Sequence, residues 1–367
     1  MNNQIELLKD GKKAFNEIIK SINEAKEEII INMFIWRDDQ IGNEVLDAVI
    51  NALSRGVKVT IDKDKSSEFL EKGEETKQSM FHKKHTVIGL IKAYFVGVSQ
   101  NKPKPKGFRQ QRNFKLEAIS SHKNLTLRTT KNKYDHSKFY LIDHQILFLG
   151  GINIEDKEVT HDLAKMVYHD YMIKITDPSL ITLFKERFYG TKTRTSSIYE
   201  FILNHNKKKE IRQSFFEMID NAKEEIIITM AYMGHKKTIE KLKAANQRGV
   251  SVSILTSNEA NLQDHINKKM LAYLFKHKKD NLSIYLSSRM IHTKLLIADN
   301  QVTLGSSNMN RTAYQKLDEL NFYTTDQQIR DQLIKDRHFE LTYSKEVLSL
   351  DDLIYPKFKA FIESLIV

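Results

Sequence analysis

Residues 136–153 read HSKFYLIDHQILFLGGIN, and the placing of three polar groups inside that apolar run decides how the chain is read. His136 and Lys138 are two residues apart, so on an extended strand they face the same side. Phe139, Leu141, Leu147 and Leu149 supply strand core around them. A buried cation is destabilising unless it has a partner. The stretch therefore calls for a nearby acid or a bound anion.

The same pattern returns at 291–308 as IHTKLLIADNQVTLGSSN. His136, Lys138 and Asp143 fit H-x-K-x4-D; His292, Lys294 and Asp299 fit it again, and each copy runs on to a small-residue turn ending in Asn153 or Asn308. One such motif is a weak signal, because a His beside a Lys on a strand is commonly a surface or satisfied core pair. Two copies in corresponding places of a duplicated chain carry much more weight.

The duplication is visible well outside the motifs. NEAKEEIIINMFIW (23–36) parallels NAKEEIIITMAYM (221–233), with AKEEIII identical in both. A helical segment follows each: EVLDAVINALSRGVKVTI (44–61) and KTIEKLKAANQRGVSVSIL (237–255). Both helices end at Arg-Gly-Val, where Gly56 and Gly249 can take the left-handed conformation of a helix stop before a β-branched strand begins. This predicts a βαβ unit in each copy. Downstream, NLTLRTTKNKYDHSKFYLID (124–143) matches NLSIYLSSRMIHTKLLIAD (281–299), and HDYMIKITD (169–177) matches DELNFYTTD (318–326). The expected organisation is two homologous α/β halves, 1–205 and 206–367, joined near the polar stretch NHNKKKEIRQ (204–213). The first half carries an insertion at 65–123 that the second lacks.

Composition limits the remaining choices. At 367 residues with 40% hydrophobic residues, the chain can fill two sizeable cores. It has no cysteine, which removes disulfides, thiolate metal sites and cysteine nucleophiles and suits a reducing compartment. The N-terminus lacks the apolar core of a secretory signal, and no apolar stretch approaches the roughly 20 residues that span a bilayer. A cytoplasmic protein, or one peripheral to the inner face of a membrane, is expected. The 58 Lys and Arg against 47 Asp and Glu give a net charge of +11, which favours polyanions: nucleic acid or an anionic lipid surface.

With both motifs in view, the sequence resembles the phospholipase D superfamily, and within it the bacterial cardiolipin synthase branch. The likeness covers nearly the whole chain: FIWRDDQIGNEVLDAVINALSRGVKV (34–59), the two H-x-K-x4-D motifs with GGIN and GSSN, YHDYMIKITDP (168–178) and ELNFYTTD (319–326) follow in the family's order. It implies an α/β fold of two phospholipase D-like halves, each a mixed sheet flanked by helices, packed as a pseudo-dimer around one shared active site. A monomer suffices on that plan.

The chemistry that such a pair of motifs performs is phosphodiester displacement in two steps. A neutral imidazole attacks phosphorus, and a protonated imidazole on the other side gives its proton to the leaving oxygen. Lysine ammonium groups and asparagine amides stabilise charge on the non-bridging oxygens. No cofactor and no metal is called for.

The resemblance implies His136 as nucleophile and His292 as general acid and later base. Lys138, Lys294, Asn153 and Asn308 would hold the phosphate, and Asp143 and Asp299 would support the fold. It also implies that an acid after each motif orients the other half's histidine: Glu319 for His136, Asp170 for His292. The run from Asp299 to Gly305 is one residue shorter than that from Asp143 to Gly150. Either Asn308 or Ser307 could therefore be the phosphate ligand.

The insertion holds HTVIGLIKAYFVGV (85–98), then a basic stretch with Lys102, Lys104, Lys106, Arg109, Arg112 and Lys115 around Phe108 and Phe114. It suits an interfacial anchor on anionic lipid; the same composition suits phosphate-backbone contacts with stacking, or a buried helix followed by a solvated basic loop. Two substrates stay open. One is an anionic phospholipid such as phosphatidylglycerol with an alcohol acceptor, which FIWRDDQIG favours; the other is nucleic acid, cleaved by a metal-independent phosphodiesterase.

Overall fold

In a computed structural model, the described residues are 4–73, 79–81, 113–131, 133–159, 167–205 and 207–366. They form two compact units: Met1–Lys165 with Tyr171–Thr182, and Met166–Asp170 with Leu183–Val367.

The first unit is built on strands β1 (Ile5–Lys9), β2 (Glu28–Met33), β3 (Lys58–Lys63), β4 (Leu125–Arg128), β5 (Phe139–Ile142), β6 (Ile146–Gly150) and β7 (Tyr171–Ile175). Their order in the sheet is β1-β7-β6-β5-β2-β3-β4. The second unit contributes β8 (Tyr199–His205), β9 (Lys208–Lys209), β10 (Glu225–Met230), β11 (Ser251–Ser257), β12 (Leu282–Ser287), β13 (Lys294–Ala298), β14 (Gln301–Gly305), β15 (Glu319–Thr324) and β16 (Ser344–Glu346). Read from the other edge, its order β8-β15-β14-β13-β10-β11-β12 repeats the first sheet strand for strand, with β9 and β16 added at the margins. In each sheet three strands run parallel through helical crossovers, and the hairpins that carry the motifs run antiparallel.

The predicted βαβ units are both present. Helix Gln40–Ser54 links β2 to the parallel β3, and helix Lys236–Gln247 links β10 to β11. The glycine after each helix has positive φ, +89° at Gly56 and +100° at Gly249, with open space where a Cβ would sit. The arginine before each glycine reaches back to the preceding helix: Arg55 donates to the carbonyls of Ile22 and Ala25, Arg248 to those of Ile219 and Asp220. Arg-Gly-Val thus stops one helix, and its guanidinium takes up free carbonyls at the end of the one before it.

The expected boundary at 205/206 does not coincide with the division between units. β8 pairs along its whole length with β15, and Phe184 and Phe188 of helix Pro178–Phe188 pack on Phe201 and His205 of β8. The stretch expected to join the halves is a tight β8–β9 hairpin that leads into helix Ile211–Asn221 inside the second unit. Its lysines read as linker because Lys208 meets main-chain acceptors, the carbonyls of Arg187 and Gly190, that a sequence does not display. The apolar run at 85–98 and the basic residues from Lys102 to Arg112 lie outside the described residues. Of that group Lys115 is described, and it pairs with Asp47 at 2.7 Å.

Candidate active site

The two motifs enter their sheets in the same register. Phe139 faces Leu149 across β5 and β6, which sets Lys138 against Gly150; Leu295 faces Leu304 across β13 and β14, which sets Lys294 against Gly305. The missing residue of the second copy is absorbed in the hairpin turn, where Asp299 and Asn300 do the work of Asp143, His144 and Gln145. Asn308 therefore occupies the place of Asn153, and Ser307 is turned to other work: its N–H donates to Asn321 and its hydroxyl to the carbonyl of Asn308. Asn308 is the phosphate-ligand candidate of the pair.

Close approach of the next strand explains the glycines. A Cβ on Gly150 would lie 2.2 Å from the Tyr171 carbonyl oxygen, and one on Gly305 would lie 2.4 Å from that of Leu320. Each glycine thus lets the strand that begins beside an acid, Asp170 or Glu319, lie against the Asn turn.

The motif aspartates are structural. Asp143 Oδ2 accepts from the Lys26 N–H at 2.8 Å, and its Oδ1 from Glu27 and Glu28 at 2.8 and 3.0 Å. Asp299 repeats this atom for atom with Lys223, Glu224 and Glu225 at 2.9, 3.0 and 3.0 Å. Both aspartates have positive φ, 50° and 52°. Burial pushes each carboxyl up, but the three N–H groups pull it down further, so both stay below the ordinary carboxylate value. The three N–H groups belong in each half to the Lys-Glu-Glu of the repeated AKEEIII segment.

His136 and Lys138 lie just before β5 rather than within it. The side chain between them explains how they are held. Ser137 is buried and receives Asn32 Nδ2 on both its carbonyl and its hydroxyl, each at 3.0 Å, while its own N–H donates to Asp135. Thr293 does the same work in the second copy, donating its hydroxyl to the His169 carbonyl at 2.8 Å; the N–H groups of His292 and Thr293 donate to that carbonyl too, each at 2.9 Å. In H-x-K the hydroxyl at x points away from the flanking pair and pins the segment. Asn32, Asp135 and His169 are residues that motif reading missed; the hydroxyl shared by both x positions was the available signal.

Both lysines are fully buried, and each Nζ donates to the carbonyl of its own motif histidine, Lys138 to His136 at 2.6 Å and Lys294 to His292. His136 is nearly buried edge-on to Phe34, with ring centroids 4.7 Å apart; His292 lies against Tyr168 at 5.4 Å. Asp170, fully buried, puts Oδ2 2.9 Å from His292 Nδ1 and 3.2 Å from Lys294 Nζ. The acid expected beside His292 is there, on the Nδ1 side of the ring. Glu319 is also fully buried and accepts from the Ser306 hydroxyl. Asn153 and Asn308 bury their side chains, and neither Oδ1 has a hydrogen-bond partner among the described residues. A buried amide oxygen without a partner in two corresponding places is what a ligand site leaves behind.

FIWRDDQIG is scaffolding for the Asn153 turn. Ile35 and Arg37 exchange backbone hydrogen bonds with Ile154, buried Arg37 pairs with Glu155 at 2.7 Å, and Asp39 accepts from both Gly42 and Asp156 N–H, capping the helix. It does not by itself speak for a lipid.

Comparison with known proteins agrees with this geometry. The family model described as "Cardiolipin synthase, PLD-like domain" matches residues 18–191 and 215–340. Cardiolipin synthase B of Escherichia coli K12 is 23% identical over 364 residues, covering 93% of this chain and 78% of the relative. The major cardiolipin synthase ClsA of Bacillus subtilis is 22% identical over 373 residues, covering 94% and 70%. Among solved structures, phosphatidylserine synthase from Haemophilus influenzae superposes with a TM-score of 0.70 at 14% identity, over 99% of this chain and 92% of that one. Polyphosphate kinase from Porphyromonas gingivalis gives 0.57 at 12% identity, over 94% and 48%. The resemblance read from the motifs is borne out, and the chain belongs to the cardiolipin synthase, phospholipase D-like family of enzymes.

Proposed function

We propose that this enzyme is a phosphatidyltransferase that exchanges the alcohol on an anionic glycerophospholipid through a phosphohistidine intermediate. The observation that carries the reading is the repetition of H-x-K and its Asn turn in identical register in two sheets of identical topology. One motif supplies half of what in-line displacement at phosphorus needs, and the two together supply all of it.

In the first step an imidazole nitrogen of His136 attacks phosphorus, the bond to the departing alcohol breaks, and that oxygen takes the proton from His292 Nε2. In the second step His292 removes the proton from an acceptor alcohol, whose oxygen attacks phosphorus and releases His136. Lys138, Lys294, Asn153 and Asn308 balance the charge on the non-bridging oxygens, strongly so because the lysines are buried. Asp170 stabilises the His292 imidazolium. Glu319 would serve His136 in the same way.

The choice of a phosphatidyl donor follows the family and the relatives named cardiolipin synthase. The assay is turnover of labelled phosphatidylglycerol with and without added glycerol or ethanol. Transphosphatidylated lipid is the expected product. No lipid turnover, together with cleavage of single-stranded DNA without added metal, would replace this reading with a nuclease.

A further inference from the structure

The C-terminal helix is turned the unusual way round. Helix Lys357–Ile366 exposes Phe358 (73%), Phe361 (55%), Ile362 (38%) and Leu365 (69%), and it buries Ala360 and Glu363 instead. The orientation is fixed: the Glu363 carboxylate accepts the Ile266 N–H at 2.7 Å, near the start of helix Asp264–Lys276, against which this helix packs. At about 100° per residue, the four exposed apolar side chains form a stripe about 100° wide, directly opposite the buried pair. Ile354 and Leu348, on the approach to the helix, are exposed as well.

We propose that this stripe is a membrane-contact surface that lies in the headgroup region of an anionic bilayer. Its choice of partner rests on the phosphatidyltransferase reading only in that such an enzyme must reach lipid; the charges argue for it independently. Lys357 and Lys359 fall on the two flanks of the stripe, and Glu363, the helix's one acid, is on the inward face. A second copy of the chain docking here would bring lysines against lysines. An anionic surface complements them, with the lysine stems lying along the apolar stripe and the ammonium groups at the phosphates. Ten residues are far too few to span a bilayer, but they suit a helix lying in the interface. Among the described residues no helix is long and apolar enough to cross a membrane.

The experiment is flotation of the full chain with vesicles of phosphatidylcholine alone and of phosphatidylcholine mixed with phosphatidylglycerol. The wild type floats with the mixed vesicles. The Lys357→Gln, Lys359→Gln variant loses about fivefold in partition for each lysine replaced, and Phe358→Asp, Phe361→Asp stays in the bottom fraction. Both variants keep wild-type turnover of detergent-dispersed phosphatidylglycerol, which shows that they are folded. Three results would overturn the proposal: a wild type that does not float, a phenylalanine variant that floats undiminished, or light scattering that finds a wild-type dimer converted to monomer by the phenylalanine changes. Flotation reads binding alone, so a chain that floats yet turns over no lipid keeps this surface and loses the phosphatidyltransferase reading.

Discussion

Asp143 and Asp299 show how much a single side chain in a catalytic motif can owe to the fold. Each holds three consecutive main-chain N–H groups at the entrance to the first strand of a βαβ unit. Replacing either by Ala leaves those donors to water or to nothing, and a loss of about 1–3 kcal/mol is expected in a urea titration. The pH dependence has a definite sign. Because the folded-state carboxyl lies below its ordinary value, its contribution is complete above the unfolded value of about 3.9 and is lost as pH falls through the folded one. Ala variants at both positions should therefore weaken less steeply in acid than the wild type.

The candidate catalytic residues were legible in the sequence because their spacing repeats, and so was the pairing of Asp170 with His292, by resemblance. Asn32 and His169 were not. Their hydrogen bonds reach the motifs from over a hundred residues away and, in His169, through a main-chain carbonyl that any residue has.

At the scale of the element, the two halves solve one problem with different residues. The helix after β2 is capped by Asp39, whose carboxylate accepts the Gly42 N–H. The helix after β10 is capped by His235, whose Nδ1 accepts from the Thr238 N–H. Burial, then the charges of Arg212, Lys237 and Arg311, lower the His235 imidazole from 6.5 to about 4. A cap that must stay neutral to accept loses its effect on protonation. Its stabilisation is complete above about pH 6.5 and fades as pH falls toward about 4. His235→Asn supplies an equally good cap that does not titrate. Between about pH 7 and about pH 4.5 its urea midpoint should fall less than that of the wild type; equal falls would show that His235 has no part in the acid sensitivity.

Element order was open to reading because AKEEIII, Arg-Gly-Val and the motif strands recur in sequence. The edge of each half was not. The lysines of 204–213 resemble a solvated linker, and only the pairing of β8 with β9 on one side and β15 on the other shows that they close a hairpin at the sheet edge. The C-terminal helix escaped notice for the opposite reason. Its apolar stripe reads as core, and the structure buries the other face.

For the whole molecule, the proposed function asks two half-sites to act on one phosphate with unequal roles. Duplication explains why each unit has a complete H-x-K and an Asn turn, but a displacement needs one nucleophile and one proton donor. The most direct measurement uses a phosphatidyl ester of p-nitrophenol, a leaving group that needs no proton, with rapid quenching and identification of the modified residue. His292→Ala should release a burst of p-nitrophenol stoichiometric with enzyme and then stall, with the phosphatidyl group on His136 because the base for the second step is missing. His136→Ala should release none. A burst retained by His136→Ala, or an adduct found on His292, would contradict the account.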